Sequence, residues 1–81
     1  MNPDEAKKIM ADEDLRNVNW YNEGNLRENQ VVITKDGNEW VVYVTDERAN
    51  MVSASITKCI SEDRALEILI KKARYGKRYL V

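Results

Sequence analysis

The chain has 81 residues, 43% hydrophobic and 33% charged, with a formal net charge of −1. That length holds one core and buries only about 60% of the unfolded surface, so residues 1–81 are expected to form a single domain of modest stability. The near-neutral balance gives no global attraction to nucleic acid or anionic membrane, a lone Cys59 excludes an internal disulfide, and the absence of histidine removes the commonest general base and metal ligand.

Asn2 is suited to capping a helix, Pro3 to its first position, and Asp4 and Glu5 to the positive end of its dipole. The spacing predicts a helix from Pro3 to about Glu13 with an apolar stripe of Ala6, Ile9 and Met10, Leu15 packing just beyond it. Asp12, Glu13 and Asp14 sit badly at the negative end of that helix, so either it stops early or the acids serve another purpose. Val18, Trp20 and Tyr21 mark a short strand between Asn17 and Asn22, and Asn22-Glu23-Gly24-Asn25 reads as a turn.

Gln30 to Thr45 carries the strongest signal, two β-branched and aromatic runs flanking Asp36-Gly37. With Lys35 and Asn38 bracketing the turn, Ile33 opposes Trp40, Val31 opposes Val42 and Val32 opposes Val41. One face, Val31, Ile33, Trp40, Val42 and Val44, is assigned to the core. Val32, Thr34, Glu39, Val41, Tyr43 and Thr45 form the outer face. Met51 to Lys58 alternates Val52, Ala54 and Ile56 with Ser53, Ser55 and Thr57, the pattern of a strand with one solvated face. Ser61 caps a second helix with Leu66, Leu69, Ile70 and Ala73 on its core stripe. Gly76 is expected to end that helix in a left-handed cap, while residues 77–81 stay open between helix, strand and fraying. The expected fold is α+β: an N-terminal helix, an antiparallel sheet of three to four strands around a central hairpin, and a C-terminal helix, both helices on one face.

Charge is divided along the chain. Through Asp63 there are 13 acids and 7 bases, a net of −6; from Arg64 onward one acid faces 6 bases, a net of +5. The basic stretch KKARYGKR aligns Lys71, Arg74 and Arg78 beside Tyr75 and Tyr79, groups able to contact phosphates and stack on bases. Basic residues also belong at a helix C-terminus for the dipole alone, and Glu67 is placed to pair with Lys71. Adjacent acids such as Asp12 with Glu13, or Asp46 with Glu47, diverge from one another on a regular element. No metal, cofactor or catalytic residue is therefore expected, and the chain is not expected to be an enzyme. Residues 1–20 hold no apolar run resembling a leader peptide and no stretch is expected to span a membrane, so the cytoplasm is the expected location.

The segment Asn38 to Ala49, NEWVVYVTDERA, together with the opening DEAKKIM and the SEDRALEIL helix, resembles the immunity protein 59 family of bacterial polymorphic-toxin systems. The resemblance implies a non-enzymatic antidote that binds a cognate secreted toxin. For such a role Asp12, Glu13, Asp14, Asp46 and Glu47 are candidate acidic contacts, and Tyr43 and Arg48 candidate anchors, since tyrosine and arginine often dominate binding energy. The order of elements also resembles the double-stranded-RNA-binding domain. Where that family carries a KKxAK-type motif, however, this chain has Ser61-Glu62-Asp63-Arg64, whose acids would repel phosphate. A small nucleic-acid-binding domain using the basic helix is thus the alternative function, and a homodimer through an exposed sheet edge the alternative assembly.

Overall fold

A computed structural model describes residues 1–79. It runs α1 (Pro3–Asp12), β1 (Val18–Trp20), β2 (Val31–Asp36), β3 (Glu39–Val44), a 3-10 turn (Ser53–Ser55), β4 (Thr57–Cys59) and α2 (Glu62–Tyr79). The strands form one sheet in the order β1-β2-β3-β4. The α+β architecture expected from the sequence is present, with helices first and last.

Both helices lie on the face that the alternation assigned to the core. Val31, Ile33 and Val42 pack there with Ala6 and Leu15 and with Ala65, Leu66, Leu69, Ile70 and Ala73 of α2. Ile33, Val42, Leu66, Leu69 and Ile70 are among the largest fully buried side chains, and each contributes about 1.5–3 kcal/mol of transfer free energy. Lys7 of α1 lies over the Trp20 ring, 5.3 Å from its centroid, so α1 reaches the end of β1.

The hairpin register differs from the expectation by two residues. Ile33 opposes Val42, Val32 opposes Tyr43 and Lys35 opposes Trp40. The turn residues are Gly37 and Asn38, and only Gly37 is left-handed, at φ 62°. Asp36 thereby stays extended within β2 and avoids the steric cost of a left-handed Cβ. Glycine at the first of two central positions is what a type II′ turn requires. A shift of two leaves every side chain on its expected face.

The sheet is mixed rather than antiparallel throughout, because β1 runs parallel to β2, Val18 beside Val31 and Trp20 beside Ile33. Tyr21 and Asn22 follow at φ 51° and 55° and reverse the chain. Residues 21–30 then return as an irregular strap across the outer face. Asn22 Nδ2 donates to Thr34 Oγ1 at 3.0 Å, Asn19 Nδ2 to the Gly24 carbonyl at 3.1 Å, and Thr45 Oγ1 to the Arg27 carbonyl at 2.6 Å. Beneath it Val32, Val41 and Tyr43 form a second buried cluster.

Met51 to Lys58 is not one strand. Met51 bridges Thr45, Ser53–Ser55 makes a 3-10 turn, and only Thr57 onward pairs with β3. Ser55 Oγ donates to the Val52 carbonyl at 2.6 Å and accepts from the Val44 N–H at 2.9 Å. Its hydroxyl thus takes the place of a ladder bond, the competition that draws serine out of regular strands.

The helix ends follow their capping residues. Asn2 and Glu5 complete a capping box on α1. At its far end the Leu15 N–H donates to the Met10 carbonyl at 2.8 Å and the Asp14 N–H to the Ala11 carbonyl at 3.3 Å. Asp14, at φ 55°, takes the left-handed position of this Schellman turn. Ser61 accepts the Arg64 N–H at 3.3 Å, as a cap should.

Gly76 does not end α2. The helix continues to Tyr79, and the part of residues 77–81 left open is helical that far; residues 80 and 81 lie outside the described range. Gly76 is needed for approach: a Cβ there would stand 2.6 Å from Asn17 Nδ2, which donates to the Ala73 carbonyl at 3.3 Å. In a double-mutant cycle followed by urea unfolding, Gly76→Ala should therefore be more favourable by about 1 kcal/mol in an Asn17→Ala background than in the native chain.

Candidate functional site

The parallel β1–β2 pairing brings several distant segments to one pole of the sheet. The Val31 N–H donates to the Asn17 carbonyl at 2.8 Å, Val31 opposes Val44, and the Asn29 N–H donates to the Asp46 carbonyl at 3.0 Å. The C-terminal half of α2 overhangs this pole. Between helix and sheet lies an open groove of about 830 Å³. Its floor is Val31, Val44 and Ile68; Asn17, Asn29 and Gln30 lie along the strand ends; Lys71, Lys72, Arg74 and Arg78 line the helix side with Tyr75 and Tyr79.

The tyrosines follow from helical spacing. Four residues apart, they share one side of α2, and their ring centroids are 4.7 Å apart at 45°. They are 60% and 62% exposed. The Arg78 guanidinium lies 6.0 Å from the Tyr79 centroid. Among the described residues, Lys71, Lys72 and Arg78 form no ion pair; Glu67 meets Arg64 at 3.9 Å rather than the expected Lys71.

The acidic candidates reach the same pole, but most are engaged internally. Glu13 accepts two bonds from Arg74, at 2.8 and 2.5 Å, and Lys77 donates to its backbone carbonyl. The misplaced acid of α1 therefore clamps α1 to α2. The Arg74 guanidinium holds the Glu13 carboxyl below its ordinary value and is itself raised. Asp14 pairs with Arg16 at 2.6 Å, and that guanidinium lowers its carboxyl likewise. Asp46 Oδ1 accepts from the N–H groups of Arg48 and Asn50, at 2.8 and 2.9 Å, and so folds its own loop. Asp12, Glu47 and Arg48 are exposed. Tyr43 is corrected: it is 9% exposed beneath the strap and is a core residue, not a surface anchor.

At the opposite pole, the left-handed turn at Tyr21 breaks the strand alternation and sends its ring to the helix side, edge-on to Trp20 at 5.2 Å. Its hydroxyl donates to the Glu62 carboxylate, fastening β1 to the start of α2. Burial, and then the Glu62 carboxylate, push the phenol above its usual value.

An apolar floor with cations and aromatic faces on its wall is equipped to bind. The acids and the Tyr75–Tyr79 pair were visible in the sequence, whereas Asn17 and Gly76 were not; the one signal was a glycine inside a helical pattern. Among the described residues no three acidic or cysteine side chains converge as metal ligands, and no helix is long and apolar enough to cross a membrane. The chain matches no family model, and no curated protein or solved structure aligns with it significantly.

Two outcomes are expected. Tyr43→Ala should lower the unfolding free energy by about 3 kcal/mol in urea titrations, as an aromatic truncation in a core does. The lowered Glu13 value means that its pairing stabilises the fold above the unfolded glutamate pKa of about 4.3 and stops doing so as pH falls through the folded value. Glu13→Gln should thus melt below the native chain at neutral pH, the gap closing as pH falls through the lowered Glu13 value.

Proposed function

We propose that this chain is an immunity protein, a cytoplasmic antidote that binds and neutralises a cognate secreted toxin by surface contact, with no catalysis of its own. The supporting observation is the exposed Tyr75–Tyr79 pair on the wall of the groove. The fold makes little use of these rings, whereas burial under a partner would remove both from water. Tyrosine and arginine are the residues on which interface energy concentrates. The resemblance in NEWVVYVTDERA supplies the class of partner. On this reading the principal contact lies on α2, while the exposed Asp12, Glu47 and Arg48 contribute at its margin.

A second reading is favoured by Lys71, Lys72 and Arg78, which form no ion pair among the described residues, beside the adjacent Tyr75 and Tyr79 rings: single-stranded nucleic acid along the same groove. It requires retention on a polyanion column that falls steeply with salt.

Co-expression with the toxin gene neighbouring its own tests the first reading. The native chain should restore growth; continued arrest with the protein present at an equal level rejects it. Tyr75→Ala combined with Tyr79→Ala should weaken toxin binding at least tenfold per ring, about 1.4 kcal/mol each, while leaving the melting temperature nearly unchanged.

A further inference from the structure

We infer that the groove receives a short acidic, amphipathic segment of the protein partner, its apolar side chains on the Val31–Val44–Ile68 floor and its carboxylates against Lys71, Lys72 and Arg78. This rests on the reading that the chain acts by binding a protein, and names what it binds.

Three observations carry the assignment. The first is the floor. Val31 is buried, but Val44 and Ile68 are only partly covered although they belong to the core. They present apolar surface into a space of about 830 Å³, the size at which protein pockets enclose several side-chain-sized groups. A purely ionic ligand would leave that surface unused.

The second is charge. Of the four cations along the helix wall, Arg74 is already neutralised by Glu13. Lys71, Lys72 and Arg78 have no such partner among the described residues, in a chain whose net charge is −1. An occupant bearing carboxylates complements them and is drawn to the groove before contact.

The third is the margin, which limits the length of the anion. Unlike Glu13 and Asp14, which are matched by Arg74 and Arg16, Asp46 and its neighbour Glu47 on the β3 side enter no ion pair among the described residues, and they lie at the same pole as the groove. A continuous phosphate backbone entering the groove would run on past these carboxylates and be repelled by them. A peptide with a few local acids and apolar residues between them would not. Tyr75 and Tyr79 form an amphipathic wall suited to a peptide of both characters.

The test titrates isotope-labelled native protein with a short peptide of alternating leucine and glutamate pairs, followed by amide chemical shifts. The parallel probes are the same peptide with glutamine for glutamate, and oligothymidylate. The acidic peptide should perturb Asn17, Val31, Val44 and residues 71–79. Its affinity should fall about tenfold with the glutamine version and again with Lys71→Glu plus Arg78→Glu, both exposed positions. Shifts elsewhere, no binding, equal binding of the glutamine peptide, or tighter binding of oligothymidylate would each overturn the assignment. A charge-reversed chain that loses the peptide yet still protects against the toxin overturns the groove as the contact site and leaves the immunity reading intact. A native chain that binds the peptide but fails to protect overturns the immunity reading alone.

Discussion

The structure depends on burying both faces of the β2–β3 hairpin in a chain of 81 residues. One face is covered by α1 and α2, the other by the strap of residues 21–30. Two-sided burial turns an ordinary hairpin into the centre of a small molecule, since an isolated one is marginal in water. It also dictates the route of the chain. A segment that crosses the outer face must begin at one end of β2 and finish at the other, so the strand preceding it lies parallel to β2. The radius of gyration, 11.6 Å, is that of one compact body, about 11.7 Å for this length.

The charge division along the sequence is resolved in space. The acidic end of α1 and the basic end of α2 meet through the Glu13–Arg74 pair, and Lys77 caps the α1 carbonyl. Each helix would otherwise carry the charge its partner's end lacks, and together they answer the unfavourable placement of acids at a helix C-terminus. The surplus on α2, Lys71, Lys72 and Arg78, remains beside the groove. Arg74 is thus committed to joining the two helices, while its basic neighbours stay exposed or half-exposed beside the groove.

What the sequence disclosed follows the range of the interactions concerned. Period-two alternation placed Val31, Ile33 and Val42 correctly, and capping chemistry placed both helix starts, because those signals are local. The register was misjudged by two residues, since face assignment is blind to an even shift and the choice between Asp36 and Gly37 as first turn residue decided it. The first strand was anticipated but its parallel direction was not, because nothing in a polar ten-residue link announces that it crosses a face. Tyr43 was read as a surface residue for the same reason: its cover comes from a segment without hydrophobic periodicity. Ser53 and Ser55 mimicked a solvated strand face, but they sit in a 3-10 turn in which the Ser55 hydroxyl bonds the Val52 carbonyl and the Val44 N–H. The groove was only half legible. The tyrosines and cations share a helical side, but the floor beneath them is assembled from residues far apart in sequence.

The last turns of α2 keep only Ala73 and Gly76 buried, both nearly without side chain, where the first turns bury Ala65, Leu66, Leu69 and Ile70. Burial per residue therefore declines along the helix toward the tyrosines, and with it the free energy needed to open the backbone locally. The wall of the groove is the least buried stretch of the helix, fastened by the Glu13–Arg74 pair, the Lys77 bond to the Glu13 carbonyl and the Asn17 amide. An occupant settling there would stiffen a thinly packed segment more than it would reinforce the core, and the ordering of those turns would be part of the cost of recognition.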